Sequence, residues 1–241
     1  MDLLKPGMGL FAVTFLLFLV FLVILYVMYK KLTPAANIAA LVVGGLVVVG
    51  TGTNGVILLF TYFALAVQAT SHHKELKSRL TVDGRHPQKR DAAQVIANGG
   101  IVAIMAGLAW YDKTNAALYH LMLAAALAAA LADTWSSELG IIYGRRHYNI
   151  LTFTKEERGL DGVVSIEGTL IGAAGALIIA LIYAGFTQQA MIVLVAGIFG
   201  NLADSVLGAT LERRHIIGNN TVNFLNTLLA ALLAMLLHYC I

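Results

Sequence analysis

Charge is scarce in this chain: Asp, Glu, Lys and Arg make up 12% of its 241 residues, against about 25% in an average soluble domain. With 59% of the residues hydrophobic and a mean hydropathy of +0.80, water cannot be its main solvent. A single cysteine, Cys240, excludes an internal disulfide, and with no metal-ligating neighbours in sequence it reads as structurally neutral. There is no Walker A sequence and no kinase-type glycine loop, so soluble nucleotide-binding folds are excluded by motif as well as by hydropathy. No Ser/His/Asp order and no CxxC pair supports a protease or redox role. His72 and His73 are adjacent instead of spaced i, i+4, which makes them weak zinc ligands, and His86, His147 and His215 read as surface residues. The formal charge of +3 and the pI near 9.0 do not point to nucleic acid. In a membrane chain an excess of Lys and Arg reports orientation and contact with anionic lipid.

Long apolar runs fill the rest. A hydrocarbon core about 30 Å thick needs roughly 20 apolar residues per helix. The runs and their breakers predict spans near 9–29, 36–52, 54–70, 91–111, 115–135, 167–186, 188–208 and 221–240. The expected fold is all-α, a polytopic transmembrane bundle of about eight spans and a single integral membrane domain over 1–241. Its helix 9–29 is peripheral and its catalytic helices cover 90–230. The first run lacks a basic leader and ends on Lys30 and Lys31, which fits a retained helix better than a cleaved signal.

Placing Lys30 and Lys31 inside also puts inside Lys74, Lys77, Arg79, Arg85, Lys89, Arg90, Arg145, Arg146, Lys155, Arg158, Arg213 and Arg214. That is 14 of the 16 basic residues, with only Lys5 and Lys113 on the other side. The positive-inside rule then puts both termini outside and the long loops in the cytoplasm of a plasma (inner) membrane protein.

A carboxylate in a membrane segment costs at least a few kcal/mol and so marks function by default. Asp91, Asp133, Glu138, Glu167, Asp204 and Glu212 all fall at the cytoplasmic ends of the expected helices. Two readings stand for each, a solvated helix end or a site. Asp91 and Glu167 also suit ordinary acids at helix N-termini, whereas Asp133 and Asp204 close apolar runs that have not yet reached a charged loop. In LADSVLGATLE, Asp204, Gly208 and Glu212 lie at i, i+4 and i+8, on one stripe. Asp133 and Ser137 repeat the i, i+4 relation in LADTWSSELG. Gly100 precedes Asp133 by 33 residues and Gly172 precedes Asp204 by 32, so a tandem helix-pair repeat with two acidic ends at one site is expected. Carriers also use repeats, so the repeat alone does not choose between enzyme and carrier.

Asn219, Asn220, Asn223 and Asn226 open the last span, and amides in lipid need partners; a ligand or a neighbouring helix could supply them. Gly99, Gly100, Gly168, Gly172 and Gly175 suit close helix approach. The basic segment SHHKELKSRLTVDGRHPQKRD is either an orientation signal or a phosphate grip led by Lys89 and Arg90. Carboxylates beside many Lys and Arg at one membrane face describe a site for phosphate with a divalent cation.

The strings QKRDAAQVIANGG, LADTWSSELG, GVVSIEGTLIG, GNLADSVLGATLE and NNTVNFLNT resemble, in order and spacing, the membrane family catalogued as domain of unknown function 92, or transmembrane protein 19-like. That family includes phytyl-phosphate kinase. The resemblance runs from about Lys30 onward. It implies phosphoryl transfer from a nucleoside triphosphate, CTP first, to an isoprenoid lipid monophosphate. More distantly, Asp133 and the run Ser165, Glu167, Gly168 are similar to dolichol and phytol kinases, which are CTP-dependent. The stretch ERGLDGVVSIEG departs from the longer glycine-rich stretch common in the family.

Carried over by position, the resemblance points to Arg90, Asp91, Gln94, Asn98, Asp133, Ser136, Ser137, Glu138, Ser165, Glu167, Gly168, Asp204, Glu212, Asn220, Asn223 and Asn226. In that reading Asp133, Glu138 and Asp204 hold Mg²⁺. Arg90, with Arg213 or Lys155, neutralises phosphate, and Asn98 and Asn223 orient oxygens. A polyprenol kinase or CDP-forming transferase stays open within the same class, and a lipid-phosphate carrier or flippase outside it.

Overall fold

The computed structural model describes residues 32–80 and 90–241. The expected span 9–29 lies outside the described residues, as do Lys30, Lys31, Arg85, His86 and Lys89. Helices α1 (Pro34–Ser71), α2 (Lys74–Leu80), α3 (Ala92–Tyr111) and α4 (Ala116–Tyr143) come first. A ladder of β1 (Tyr148–Asn149) on β2 (Val163–Val164) leads into α5 (Ile166–Ala184), α6 (Gln188–Leu207), a π-helical turn (Gly208–Glu212) and α7 (Asn219–Cys240). Among the described residues six helices are long and apolar enough to cross a membrane.

The longest of these folds back on itself. Thr33 accepts a hydrogen bond from the Ala36 amide and Pro34 opens the first turn, a start that suits a helix. At Gly52 the backbone leaves helical space, at φ 62° and ψ −149°, in the left-handed half that glycine tolerates. A straight helix of 38 residues would hold its ends about 57 Å apart. Yet the Thr33 amide donates to the Arg90 carbonyl at 3.0 Å, and the Arg90 guanidinium donates to the Thr70 hydroxyl at 3.3 Å. Both ends therefore meet at one residue, and Leu32 and Ala36 of the first arm pack with Phe63 of the second. The two arms match the runs expected at 36–52 and 54–70.

Helix α4 is the axis of the bundle, packed against α1, α3, α5, α6 and α7. Its run Leu121–Ala132, with alanine at most positions, is buried throughout. The neighbours approach through glycine. A Cβ added at Gly172 would lie 2.7 Å from the Ala132 carbonyl oxygen, one at Gly197 2.8 Å from the Ala128 Cβ, and one at Gly200 2.6 Å from the Ala129 Cβ. Gly168 likewise lies against Gly140, and Gly175 against Leu131 and Trp135. Lipid offers no hydrophobic force between helices, so such contacts supply the cohesion as van der Waals packing.

Three departures from the sequence expectation bear on the site. Helix α4 runs past 135 to Tyr143, so Ser136, Ser137 and Glu138 are helical, with Ser136 and Ser137 on the face of Asp133. Lys74–Leu80 is a short helix instead of loop. The antiparallel β1–β2 ladder is an element the all-α expectation did not contain; its strands are two residues long, too short for any periodic signal.

The same one-methyl change should have opposite effects at two helical glycines. Gly172→Ala should lower stability by about 1–3 kcal/mol, because its Cβ meets backbone. Gly107→Ala, with nothing within 4 Å, should be neutral or stabilising by up to about 1 kcal/mol. Thermal unfolding of both variants in detergent checks this; equal effects would contradict the packing account.

Candidate active site

The start of α3, the end of α4, the start of α5, the end of α6 with its π turn, and the start of α7 converge at one end of the bundle around a cavity of about 350 Å³. Its floor is the acid pair. Asp133 and Asp204, one from each half of the expected repeat, face each other closely enough for a side-chain hydrogen bond. The Asn226 carboxamide, fully buried on α7, donates to Asp204 Oδ1 at 3.2 Å. Its reach depends on Gly200, where an added Cβ would press on the Asn226 backbone oxygen at 3.1 Å. Ser136 Oγ donates to Asn201 Oδ1 at 2.8 Å, tying α4 to α6 one turn from the acids. The π turn, a form often found at functional sites, carries Glu212 to the cavity wall, where its side chain bonds Asn219.

Many expected residues line this cavity: Arg90, Gln94 and Asn98 from α3 and its approach; Asp133, Ser136, Ser137 and Glu138 from α4; Ser165 and Gly168 from α5; Asp204, Glu212 and Asn223 beyond. Their local bonds are short-range. Ser137 Oγ donates to the Asp133 carbonyl at 2.7 Å, Asn98 Nδ2 to the Gln94 carbonyl at 3.1 Å, and Ser165 Oγ accepts from the Gly168 amide at 3.0 Å, capping α5.

Others stand elsewhere. Asp91 forms a reciprocal capping box with Gln94 at the start of α3, which is the structural alternative for that acid. Glu167 accepts from the Arg145 amide in the first turn of α5. Asn220 does not line the cavity, while its neighbour Asn219 does. Arg213 and Lys155, expected to neutralise phosphate, are not at the cavity. Arg213 donates to Glu156 Oε2 and to the Asp161 carbonyl, both at 2.6 Å, and Lys155 is exposed and bridged to Tyr148.

The expected triad Asp133, Glu138 and Asp204 is also not assembled. Among the described residues no three His, Cys, Asp or Glu side chains group as a metal cage, and Glu138 is ion-paired with the buried Lys77. Lys77 also donates to the carbonyls of Ala69 at 3.0 Å and Thr70 at 2.8 Å, so it closes the C-terminal end of the second arm of α1. The acid pair is what remains for a cation.

Cavity residues that sequence reasoning passed over include Thr70, Asn201 and Asp161. Asn201 had a signal, an amide inside the apolar run MIVLVAGIFGNLAD; Thr70 had none. Among the described residues two buried side-chain polar atoms make no hydrogen bond of ordinary geometry, Tyr62 Oη and Asn226 Oδ1. Asn226 bonds Asp204, and Tyr62 neighbours Asp133 and Arg90, so both flank the acid pair.

The family model described as integral membrane protein DUF92 matches residues 17–231. The chain belongs to this family. It is 35% identical over 211 residues to an uncharacterized membrane protein of Methanocaldococcus jannaschii, covering 84% of each chain. It is 30% identical to one of Synechocystis, over 86% of this chain and 82% of the other. To the Arabidopsis thaliana protein VTE6, chloroplastic, it is 28% identical over 86% of this chain and 65% of that one. No solved structure matches. Family and helices together make this an integral, multi-pass membrane protein.

Two outcomes follow from the polar contacts around the cavity. Lys77→Met should lower stability by about 3 kcal/mol, because it strands Glu138 beside a buried surface, and Glu138→Gln in the same chain should recover part of that loss in detergent unfolding. In the loop, the hydrogen bond from Arg213 holds the Glu156 carboxyl below its usual range, with Asn149 adding to it, while burial lowers the His147 imidazole. A lowered carboxylate pKa stabilises the fold above the ordinary value and loses that stabilisation as pH falls through the lowered one. Melting temperature from about pH 7 to about pH 3 should therefore fall less steeply in Glu156→Gln; parallel curves would contradict it.

Proposed function

We propose that this protein is an isoprenyl-monophosphate kinase. It transfers the γ-phosphoryl group of CTP or another nucleoside triphosphate to a lipid monophosphate such as phytyl phosphate, at the cytoplasmic face of the membrane. The observation that carries the reading is the meeting of Asp133 and Asp204 in a cavity that also holds Arg90 and a ring of amides. The substrate class follows from the family resemblance, and the cytoplasmic side from the distribution of Lys and Arg.

Mg²⁺ takes one or two carboxylates and fills its shell with water and phosphate oxygens. Two facing carboxylates with a carboxamide behind them fit that demand, and Asp133 and Asp204 are the residues that would hold the ion. Bound there, Mg²⁺ would neutralise charge on the transferring phosphoryl group. An oxygen of the lipid monophosphate attacks the γ-phosphorus; that bond forms as the bond to the β,γ-bridging oxygen breaks, and the nucleoside diphosphate leaves. The attacking oxygen is already anionic, so no strong general base is required. Arg90 neutralises the phosphates, Gln94, Asn98 and Asn223 orient their oxygens, and the isoprenoid tail extends between helices toward lipid.

Purified protein with Mg²⁺, CTP or ATP and phytyl or geranylgeranyl monophosphate should make the diphosphate, followed by mass spectrometry. Asp133→Asn or Asp204→Asn should reduce turnover at least about a hundredfold. Asp91→Asn should stay within about twofold, since asparagine caps a helix as well as aspartate does. No diphosphate with any nucleotide or tail would sink the reading, and release of pyrophosphate instead would turn it toward a CDP-forming transferase.

A further inference from the structure

Tyr62 belongs to none of the motifs, yet it occupies a distinctive place. It is 6% exposed on the second arm of α1, and its buried hydroxyl makes no hydrogen bond of ordinary geometry, although it lies close enough to the Arg90 guanidinium for a loose one. Its neighbours in charge are Arg90 and Asp133, the cation and one of the acids of the cavity. Tyr62, Ala66 and Thr70 lie at i, i+4 and i+8, a single stripe along this arm. Thr70 accepts from the Arg90 guanidinium at 3.3 Å and itself donates to the Ala66 carbonyl at 2.9 Å. Ala66, fully buried, leaves room between the two hydroxyls. Trp135 Nε1 donates to the Leu65 carbonyl at 3.3 Å, which fixes this arm against α4 beside Asp133.

We infer that Tyr62 is a positioning residue: its phenol braces the Arg90 guanidinium beside Asp133, so that Arg90 meets the phosphate of the lipid substrate in one orientation. The inference rests on the kinase reading for the identity of that phosphate. Tyr62 does not line the cavity, so it acts through Arg90 and not on the ligand. A buried hydroxyl whose one contact is loose adds little or nothing to stability. Removing it should leave the unliganded protein as stable as before or more so, and the loss should appear only when phosphate is bound.

Geranylgeranyl monophosphate and geranylgeraniol are each titrated, without nucleotide, into the full chain in detergent, for wild type and Tyr62→Phe. Melting temperatures of the unliganded proteins are read alongside. The expected result is an unliganded melting temperature unchanged or raised, an affinity for the monophosphate weakened about tenfold, and an unchanged affinity for the alcohol. Equal binding of the monophosphate by both proteins overturns the role of Tyr62, as does a parallel loss for the alcohol or a lowered unliganded melting temperature with ligand affinity kept. Wild type that binds no monophosphate overturns the inference together with the kinase reading. Tyr62-dependent binding with no turnover for any nucleotide removes the kinase reading alone.

Discussion

Near the acid pair the two neighbouring helices meet the central one through glycine. Gly168, Gly172 and Gly175 of α5 lie on α4, as do Gly197 and Gly200 of α6; an added methyl group would clash at Gly172, Gly197 and Gly200 and crowd the others. The alanines of α4 complete the fit. That contact sets the separation of the helix ends, and with it whether Asp133 and Asp204 can meet at all. Gly172 sits where Ala132, Ser136 and Asn201 come together, so the packing that holds the bundle also permits the Ser136–Asn201 hydrogen bond beside the acids. The site is thus built on rigid helices, with the loops as walls.

The basic residues divide the remaining work. Orientation signals are counted by number, but three of these cations act as knots in the fold. Arg90 joins both ends of the α1 hairpin through its carbonyl and its guanidinium. Lys77 neutralises Glu138 and fills the open carbonyls at the end of the second arm. Carbonyls at a helix end buried away from water must find donors, and a lysine on the short helix α2 is within reach. Arg213 fastens the loop before α5 through Glu156 and the Asp161 carbonyl.

Much of this was visible in the sequence, for a physical reason. Apolar runs and the acids that interrupt them carry large free-energy terms in lipid, so the helical runs from 36 onward, the break near Gly52 and the pairing of Asp133 with Asp204 leave marks on the chain. Partners far apart in sequence leave none. Lys77 and Glu138 are 61 positions apart, and nothing local distinguishes this lysine from its neighbours in KELKSRL. The same blindness assigned Glu138 to a cation and Arg213 to phosphate. Asp91 and Glu167 show the opposite case: the helix-end reading weighed for both is the one the structure displays, through the Asp91 capping box and the Arg145 amide. The β1–β2 ladder and the π turn are short departures that no period of 2 or 3.6 residues can reveal.

The architecture also bears on the choice between chemistry and transport. A carrier needs its site to open alternately to both faces, and known carriers place it near the bilayer midplane between repeats. On α4 no polar side chain lies between His120 and Asp133. Beyond it, toward the other face, Leu121–Ala132 is an unbroken apolar stretch, every residue of it buried, with glycines of α6 pressed on it at Gly197 and Gly200. Opening a polar path through that seam would mean separating helices whose cohesion is the closeness itself. The poorly satisfied atoms point the same way: Tyr62 Oη and Asn226 Oδ1 both flank the acid pair, and a buried group without a good hydrogen bond costs up to about 3 kcal/mol. A tightly sealed bundle that concentrates such costs at one end suits a site preorganised for charge that enters and leaves by the same face.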